Sequence, residues 1–305
     1  MKKYLLFFLF FFVLVLLVVQ LQKNQGQSPL ISPLASGISS VESWIKQIGP
    51  KDKRLEKGIQ EALQGAKGNY SIVIKDLKTG EGYAVNAQRM YDTASLYKLW
   101  VMATAYQQIQ QGKLKENEQL SEDIVVLNDT FQIASESAES TEGNITLPVN
   151  AAVKQMITIS HNYAALLLSK RVGLTNVAIF LKNKGLVQSS VGVTGGEPHT
   201  TAADIALFFE KLYKGELANK EYTEKMISLL KQQQLNNKLP KELPKDAVIA
   251  HKTGELGLVT HDAGIVYTKN GDYIIVVLSE SDYPPGAEER IVKISKAAYD
   301  YFVQK

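Results

Sequence analysis

A serine followed three residues later by a lysine puts a hydroxyl and an amine on one helical face, within reach of each other. The amine can then take the hydroxyl's proton and leave a nucleophile. The chain holds this spacing three times: Ser43 and Lys46, Ser95 and Lys98, Ser228 and Lys231. Ser43 lies at the edge of a polar stretch, and Ser228 sits late in a helical pattern with a solvated face. Ser95 differs, because it opens the apolar run Leu96-Tyr97-Lys98-Leu99-Trp100-Val101-Met102. A helix start offers backbone N–H groups and the positive dipole end to developing negative charge. A lysine buried in such a helix loses its proton near neutrality. The same spacing also suits a bland reading, with Ser95 an N-cap and Lys98 a surface residue.

Two further short patterns could serve a serine nucleophile. Lys-Thr-Gly occurs at Lys78-Thr79-Gly80, inside a turn signal, and at Lys252-Thr253-Gly254, after the strand pattern Ala247 to His251. On a strand facing a cleft, the second copy would present an ammonium, a hydroxyl and a closely approachable backbone to an anionic substrate. Ser-x-Asn occurs once, at Ser160-His161-Asn162, between two helical patterns.

Composition removes the competing chemistries. The 305 residues include no cysteine, which excludes disulfides, thiol catalysis, Fe–S clusters and Cys-ligated zinc. Of four histidines (His161, His199, His251, His261) no pair has helical metal-ligand spacing. No metal, no cofactor and no Gly-rich phosphate loop is expected. The net charge of +3 is spread along the chain, so no nucleic-acid partner is expected.

The elements that must position these residues follow from periodicity. Lys53 to Ala66 is amphipathic with helical spacing, and Tyr70 to Lys75 reads as a strand that turns at Lys78–Gly82. A helix is predicted from about Ser95 to Gln111, and further helices over 149–158, 161–171, 175–184, 201–214 and 221–233. Strand patterns return at 247–252, 263–268 and 273–278, the last two joined by Asn270-Gly271, a hairpin signal. A helix over 287–302 closes the chain. Strands at both ends and helices between predict an α+β fold. One antiparallel sheet is flanked by the terminal helices (about 41–92 and 246–305), and a central all-helical lobe spans about 93–245. A site between the lobes is the natural expectation.

The N-terminus gives a location. Lys2 and Lys3 precede an apolar run from Tyr4 to Val19, extended by Leu21. About 18 helical residues at ~1.5 Å each reach roughly 27 Å, enough for a bilayer core. Residues 1–21 therefore read as a single-pass signal-anchor with the cytoplasmic end marked by the lysines. No small-x-small site follows closely; Ala35 is the weak candidate for cleavage. Residues 22–40 read as a flexible tether, and 41–305 as an exported domain at the cell membrane.

In order and approximate spacing, Ser95-x-x-Lys98, Ser160-x-Asn162 and Lys252-Thr253-Gly254 resemble the three motifs of serine β-lactamases and penicillin-binding proteins. The segments Met156 to Leu168, Thr200 to Ala206 and Ala250 to Val266 resemble the family's surroundings of those motifs, and class A β-lactamases give the nearest likeness. The resemblance covers roughly residues 50–303. It implies that Ser95 is acylated, that Lys98 takes its proton and that Ser160 passes a proton to the leaving nitrogen beside Lys252. It implies Asn162 on the substrate's side-chain amide and Lys252 with Thr253 on its carboxylate. The backbone N–H groups of Ser95 and Glu255 would form the oxyanion hole. Two departures stand out. His161 occupies the position of the usual Asp. The deacylating glutamate would be Glu197, in a loop much shorter than usual because Thr200-Thr201 follows at once, and a turn carboxylate is the other reading of Glu197. The resemblance thus implies β-lactam hydrolysis through an acyl-serine. The rivals are a D-Ala-D-Ala carboxypeptidase or transpeptidase on peptidoglycan stem peptides, and a silent binding module of the same fold.

Overall fold

The computed structural model describes residues 41–46, 48–49, 52–193 and 196–305. The anchor and tether expected over 1–40 lie outside the described residues. Among the described residues no single helix is long and apolar enough to cross a membrane.

A helical segment over 41–46 is followed by α1 (Lys53–Ala62), β1 (Asn69–Asp76), β2 (Gly82–Val85) and β3 (Met90–Asp92). A 3-10 turn (Ala94–Tyr97) runs directly into α2 (Lys98–Gln110). The middle of the chain holds β4 (Gln119–Asp123), α3 (Ile124–Thr130), β5 (Asn144–Pro148), α4 (Val149–Thr158), α5 (Asn162–Val172) and α6 (Leu174–Asn183). Then come β6 (His199–Thr201), α7 (Ala202–Tyr213), α8 (Lys220–Lys231), β7 (Val248–Leu256), β8 (Val259–Tyr267), β9 (Tyr273–Glu280) and α9 (Pro284–Val303).

The main sheet has the order β2-β1-β9-β8-β7, and every pairing is antiparallel. Its strands are apolar on both faces because both faces are covered. Ile72, Ile74, Ile275 and Val277 pack with α1 and α9, while Val73, Ile274, Val276 and Leu278 pack towards the helices of the middle. This is the α+β architecture expected, with the terminal helices on one face. The helical lobe also carries a ribbon, β4–β5, and a second ribbon, β3–β6, joins the entry to the 3-10 turn with the start of α7.

Helix α2 is buried on all sides, from Leu99 through Tyr106. An apolar run with no polar face can only sit inside the molecule. That placement takes Lys98, at its first position, out of water.

Candidate active site

The expected helix start at Ser95 is a 3-10 turn, with the α-helix proper beginning at Lys98. The difference matters for geometry. Three residues per turn makes positions i and i+3 eclipse, so Ser95 and Lys98 stack more directly than on an α-helix. Ser95 is the second residue of the turn, where its N–H has no partner within the turn. Ala94 before it holds a left-handed φ of 44°. The turn entrance is pinned from two sides: Thr93 N–H donates to the Pro198 carbonyl (2.9 Å), and His261 Nε2–H donates to the Asp92 carbonyl (2.8 Å). Ser279 N–H donates to His261 Nδ1, which fixes that tautomer. Burial pushes the His261 ring down to about 4, so it is a neutral structural histidine.

Ser160 sits between α4 and α5 with a left-handed φ of 58°. Such a conformation in a non-glycine residue is strained, and it gathers at functional sites. Here it turns both the carbonyl and the hydroxyl of Ser160 to one amine: Lys98 Nζ lies 2.6 Å from Ser160 O and 3.1 Å from Ser160 Oγ. Lys98 also donates to Asn162 Oδ1 at 2.6 Å. Burial lowers the Lys98 ammonium to about 7, against a smaller opposing effect of the Glu139 carboxylate. From the sheet side, Lys252 Nζ donates to Ser160 Oγ at 2.9 Å and to the Thr253 carbonyl at 2.8 Å. Burial pushes Lys252 well below its usual value, and the Lys98 charge adds to that.

His161 has a concrete role. It is the N-cap of α5, and its Nδ1 accepts from Ala164 N–H at 3.2 Å. An Asp at this position would cap the same way. The departure from Ser-Asp-Asn therefore keeps the helix cap.

Gly254 explains the glycine of Lys-Thr-Gly. A Cβ built there would meet Thr93 O at 3.1 Å, Ala94 Cβ at 3.3 Å and Leu96 Cγ at 3.4 Å. Strand β7 thus lies directly against the turn that carries Ser95, and Thr253 and Glu255 flank the contact. Glu255 pairs with Lys238, a fully buried lysine on the preceding loop.

Two unexpected residues join the expected ones. Asn162 Nδ2 donates to Glu139 Oε1, on the loop between α3 and β5. Lys238 reaches Glu255 from the loop before β7. Neither lies in a motif; both are found only through contacts between distant segments. Glu197 is exposed and, among the described residues, has no hydrogen-bond or ion-pair partner; its neighbour Pro198 bonds Thr93. The other copies of the short motifs stay apart. Ser228 and Lys231 are exposed on α8, and Lys78 to Gly80 form a turn capped by Asp76 Oδ1. No group of three or more His, Asp or Glu that could hold a metal occurs among the described residues.

A serine on a tight helical entry, a lysine lowered towards neutrality three residues on, and a second serine shared with a strand lysine define a serine acyl-transfer enzyme. Residues 53–302 match the family model described as "Beta-lactamase enzyme family", and the chain belongs to that family. Beta-lactamase VEB-1 of Pseudomonas aeruginosa is 21% identical over 270 residues, covering 81% of this chain and 90% of that protein. Extended-spectrum beta-lactamase PER-1, from the same organism, is 22% identical over 275 residues, covering 82% and 88%. Among solved structures, PBP-A superposes with a TM-score of 0.73 at 23% identity, covering 84% of this chain and 98% of its own. A mutant of PBP-A is an acyl-enzyme complex with penicillin G, again at TM-score 0.73. A β-lactamase from Sphaerobacter thermophilus gives 0.72 at 23% identity, covering 83% and 99%. The chain is a serine hydrolase of the class A β-lactamase type, whose reaction is hydrolysis of the β-lactam amide.

Proposed function

We propose that Ser95 is the acylated nucleophile and that Ser160 carries the proton between two lysines. The observation that carries this reading is the sharing of Ser160 Oγ by Lys98 and Lys252. A neutral Lys98 takes the Ser95 hydroxyl proton as Ser95 Oγ bonds to the lactam carbonyl carbon. The carbonyl electron pair moves to oxygen, held by the N–H groups of Ser95 and Glu255; each such donor contributes roughly 3 kcal/mol. As the C–N bond breaks, the nitrogen takes the Ser160 proton, and Ser160 recovers one from the Lys98 ammonium. Lys252 keeps its hydrogen bond to Ser160 Oγ throughout, favouring the negative charge that passes through it. Lys252 and Thr253 bind the substrate carboxylate, and Asn162 its side-chain amide.

Glu197 then activates the water that releases the acyl group. Its support is chain position: the segment ends in β6, whose His199 pairs with Asp92 just before the Ser95 turn. The second reading is a penicillin-binding peptidase acting on cell-wall stem peptides, in which the acyl-enzyme persists. The exposure of Glu197 favours it. Glu197→Gln separates the two: the β-lactamase reading expects deacylation to slow by about a hundredfold or more with acylation retained. Unchanged turnover would remove Glu197 from the mechanism.

We also place the enzyme at the cell membrane with its domain exported, held by residues 1–21. This rests on the lysines and the apolar run of the sequence. Recovery of the full chain in a salt-washed membrane fraction tests it; recovery as a shorter soluble protein would point to a cleaved signal.

A further inference from the structure

A cavity of about 520 Å³ opens between the end of α8, the loop that follows it and the first half of β7. That volume lies in the range of small-molecule sites. Its charged lining has one sign: Lys231 from α8 and Lys241 with Lys245 from the loop, and no carboxylate. Glu242 and Asp246 belong to the same loop but do not line the cavity. None of the three lysines has an ion-pair partner among the described residues. The other lysines of α8 do: Lys220 pairs with Glu224, and Lys225 with Glu116 and Glu221. Lys231 is instead held over the Tyr267 ring, 4.0 Å from its centre. Ammonium groups that share a cavity without a counter-charge repel one another, and an anion between them removes that cost.

The inner wall is polar and fixed. His251 is buried, with Nδ1 2.9 Å from Asp262 Oδ1 and Nε2 3.1 Å from Asn236 Oδ1. Asp262 is fully buried and accepts from Leu239 N–H on its other oxygen at 3.0 Å. The ring thus occupies the Asn236 carbonyl oxygen. The two protons of the Asn236 NH2 have no acceptor among the described residues, and Asn236 lines the cavity.

The cavity is separate from the acylation site, yet built on the same strand. His251 and Lys252 are consecutive on β7 and point to opposite faces. Lys252 reaches Ser160 on one face, and His251 reaches Asn236 on the other. Asp262 serves both sides. It holds His251, and its carboxylate opposes the burial and the Lys98 charge that push Lys252 below its usual value.

We propose that this cavity is a second binding site, for a multiply charged, phosphate-bearing anion. A phosphate group brings about two charges and three strong acceptor oxygens, which matches several ammonium groups and an amide NH2 better than a lone carboxylate does. Soluble phosphates and phosphorylated lipid headgroups share this chemistry.

The test is calorimetric titration of the full chain in neutral detergent, at constant ionic strength. The probes are pyrophosphate, inorganic phosphate and a short-chain, monomeric phosphatidic acid. Saturable binding of at least one probe is expected below about 10 mM. The double variant Lys241→Glu/Lys245→Glu should weaken it by about tenfold or more. Lys53→Glu/Lys269→Glu changes the net charge equally at exposed positions elsewhere and should leave binding within twofold. Asn236→Ala should weaken binding without any change of charge. A preference for phosphatidic acid over inorganic phosphate assigns a lipid headgroup, and the reverse preference a soluble phosphate; either supports the site. Benzylpenicillin acylation within twofold of wild type shows that the Lys241→Glu/Lys245→Glu protein is folded. No saturable binding by any probe, or equal losses in the two double variants, would overturn the proposal and leave the acyl-serine reading untouched.

Discussion

Lys98 and Lys252 reach the same oxygen. Ser160 Oγ lies 3.1 Å from Lys98 Nζ and 2.9 Å from Lys252 Nζ, and both amines are buried. A hydroxyl has one proton to give and two lone pairs. With Lys98 neutral, Ser160 can donate to it while accepting from Lys252. With Lys98 charged, Ser160 can accept from both. The proton on Ser160 is thereby linked to the charge on Lys98.

A pH dependence follows. In the mechanism proposed above Lys98 must be neutral to accept the Ser95 proton, and burial lowers it to about 7. The acylation kcat/KM should therefore rise through an acidic limb centred near pH 7 and level off above it. Stability has the matching sign. Between about pH 7 and 10.5 the unfolded lysine holds a proton that the folded one has lost, so this group's penalty on folding shrinks as pH rises. The melting-temperature advantage of Lys98→Met over wild type should accordingly be largest below pH 7 and fade towards pH 10. A limb near pH 10 would mean that Lys98 is an ordinary solvated lysine.

Gly254→Ala tests the contact between β7 and the turn that carries Ser95. The added methyl would stand 3.1 Å from the Thr93 carbonyl and 3.3 Å from Ala94 Cβ. Neither partner is the end of a flexible chain, so β7 or the turn must shift. Overpacking of this kind costs about 1–3 kcal/mol. The expected result is a modest loss of melting temperature with a disproportionate loss of acylation, about tenfold or more, because the two proposed oxyanion donors sit on the two elements being parted. Stability lost with acylation intact would show that the close approach serves packing alone.

His161 separates capping from catalysis. His161→Asp keeps a side-chain acceptor for Ala164 N–H and should leave both stability and acylation near wild type. His161→Ala removes the cap of α5 and should cost about 1 kcal/mol in denaturant unfolding. A His161→Asp variant that loses acylation would give the imidazole a chemical role.

The three motifs were legible in the sequence because their chemistry fixes residue types at short range. A serine and lysine at one helical turn, a serine beside an asparagine, and a lysine, threonine and glycine on a strand are local patterns. The strands of the main sheet were legible for a similar reason: runs such as Tyr273 to Leu278 are apolar enough to need cover on both faces. Ribbons β3–β6 and β4–β5 were not, since Met90–Asp92 and Gln119–Asp123 carry no clear alternation and pair with distant strands. The 3-10 form of the Ser95 turn was hidden too, because the same residues suit an α-helix. Glu139 and Lys238 were invisible for a plainer reason. Each meets the site through one side chain across a loop, and nothing near either residue in the sequence marks its partner. Their only signal in the sequence is charge: no Lys or Arg lies between Lys115 and Lys154, the stretch that holds Glu139, and Lys238 opens the Lys-rich stretch to Lys245.

The most direct measurement is the intact mass of the protein during incubation with benzylpenicillin, for wild type and Ser95→Ala. The wild type should carry a covalent adduct of the whole antibiotic, mapped to the peptide containing Ser95, followed by its loss and continued consumption of penicillin. Ser95→Ala should form no adduct and consume none. Adduct formation or hydrolysis that survives in a folded Ser95→Ala would contradict the central claim that this serine is the nucleophile.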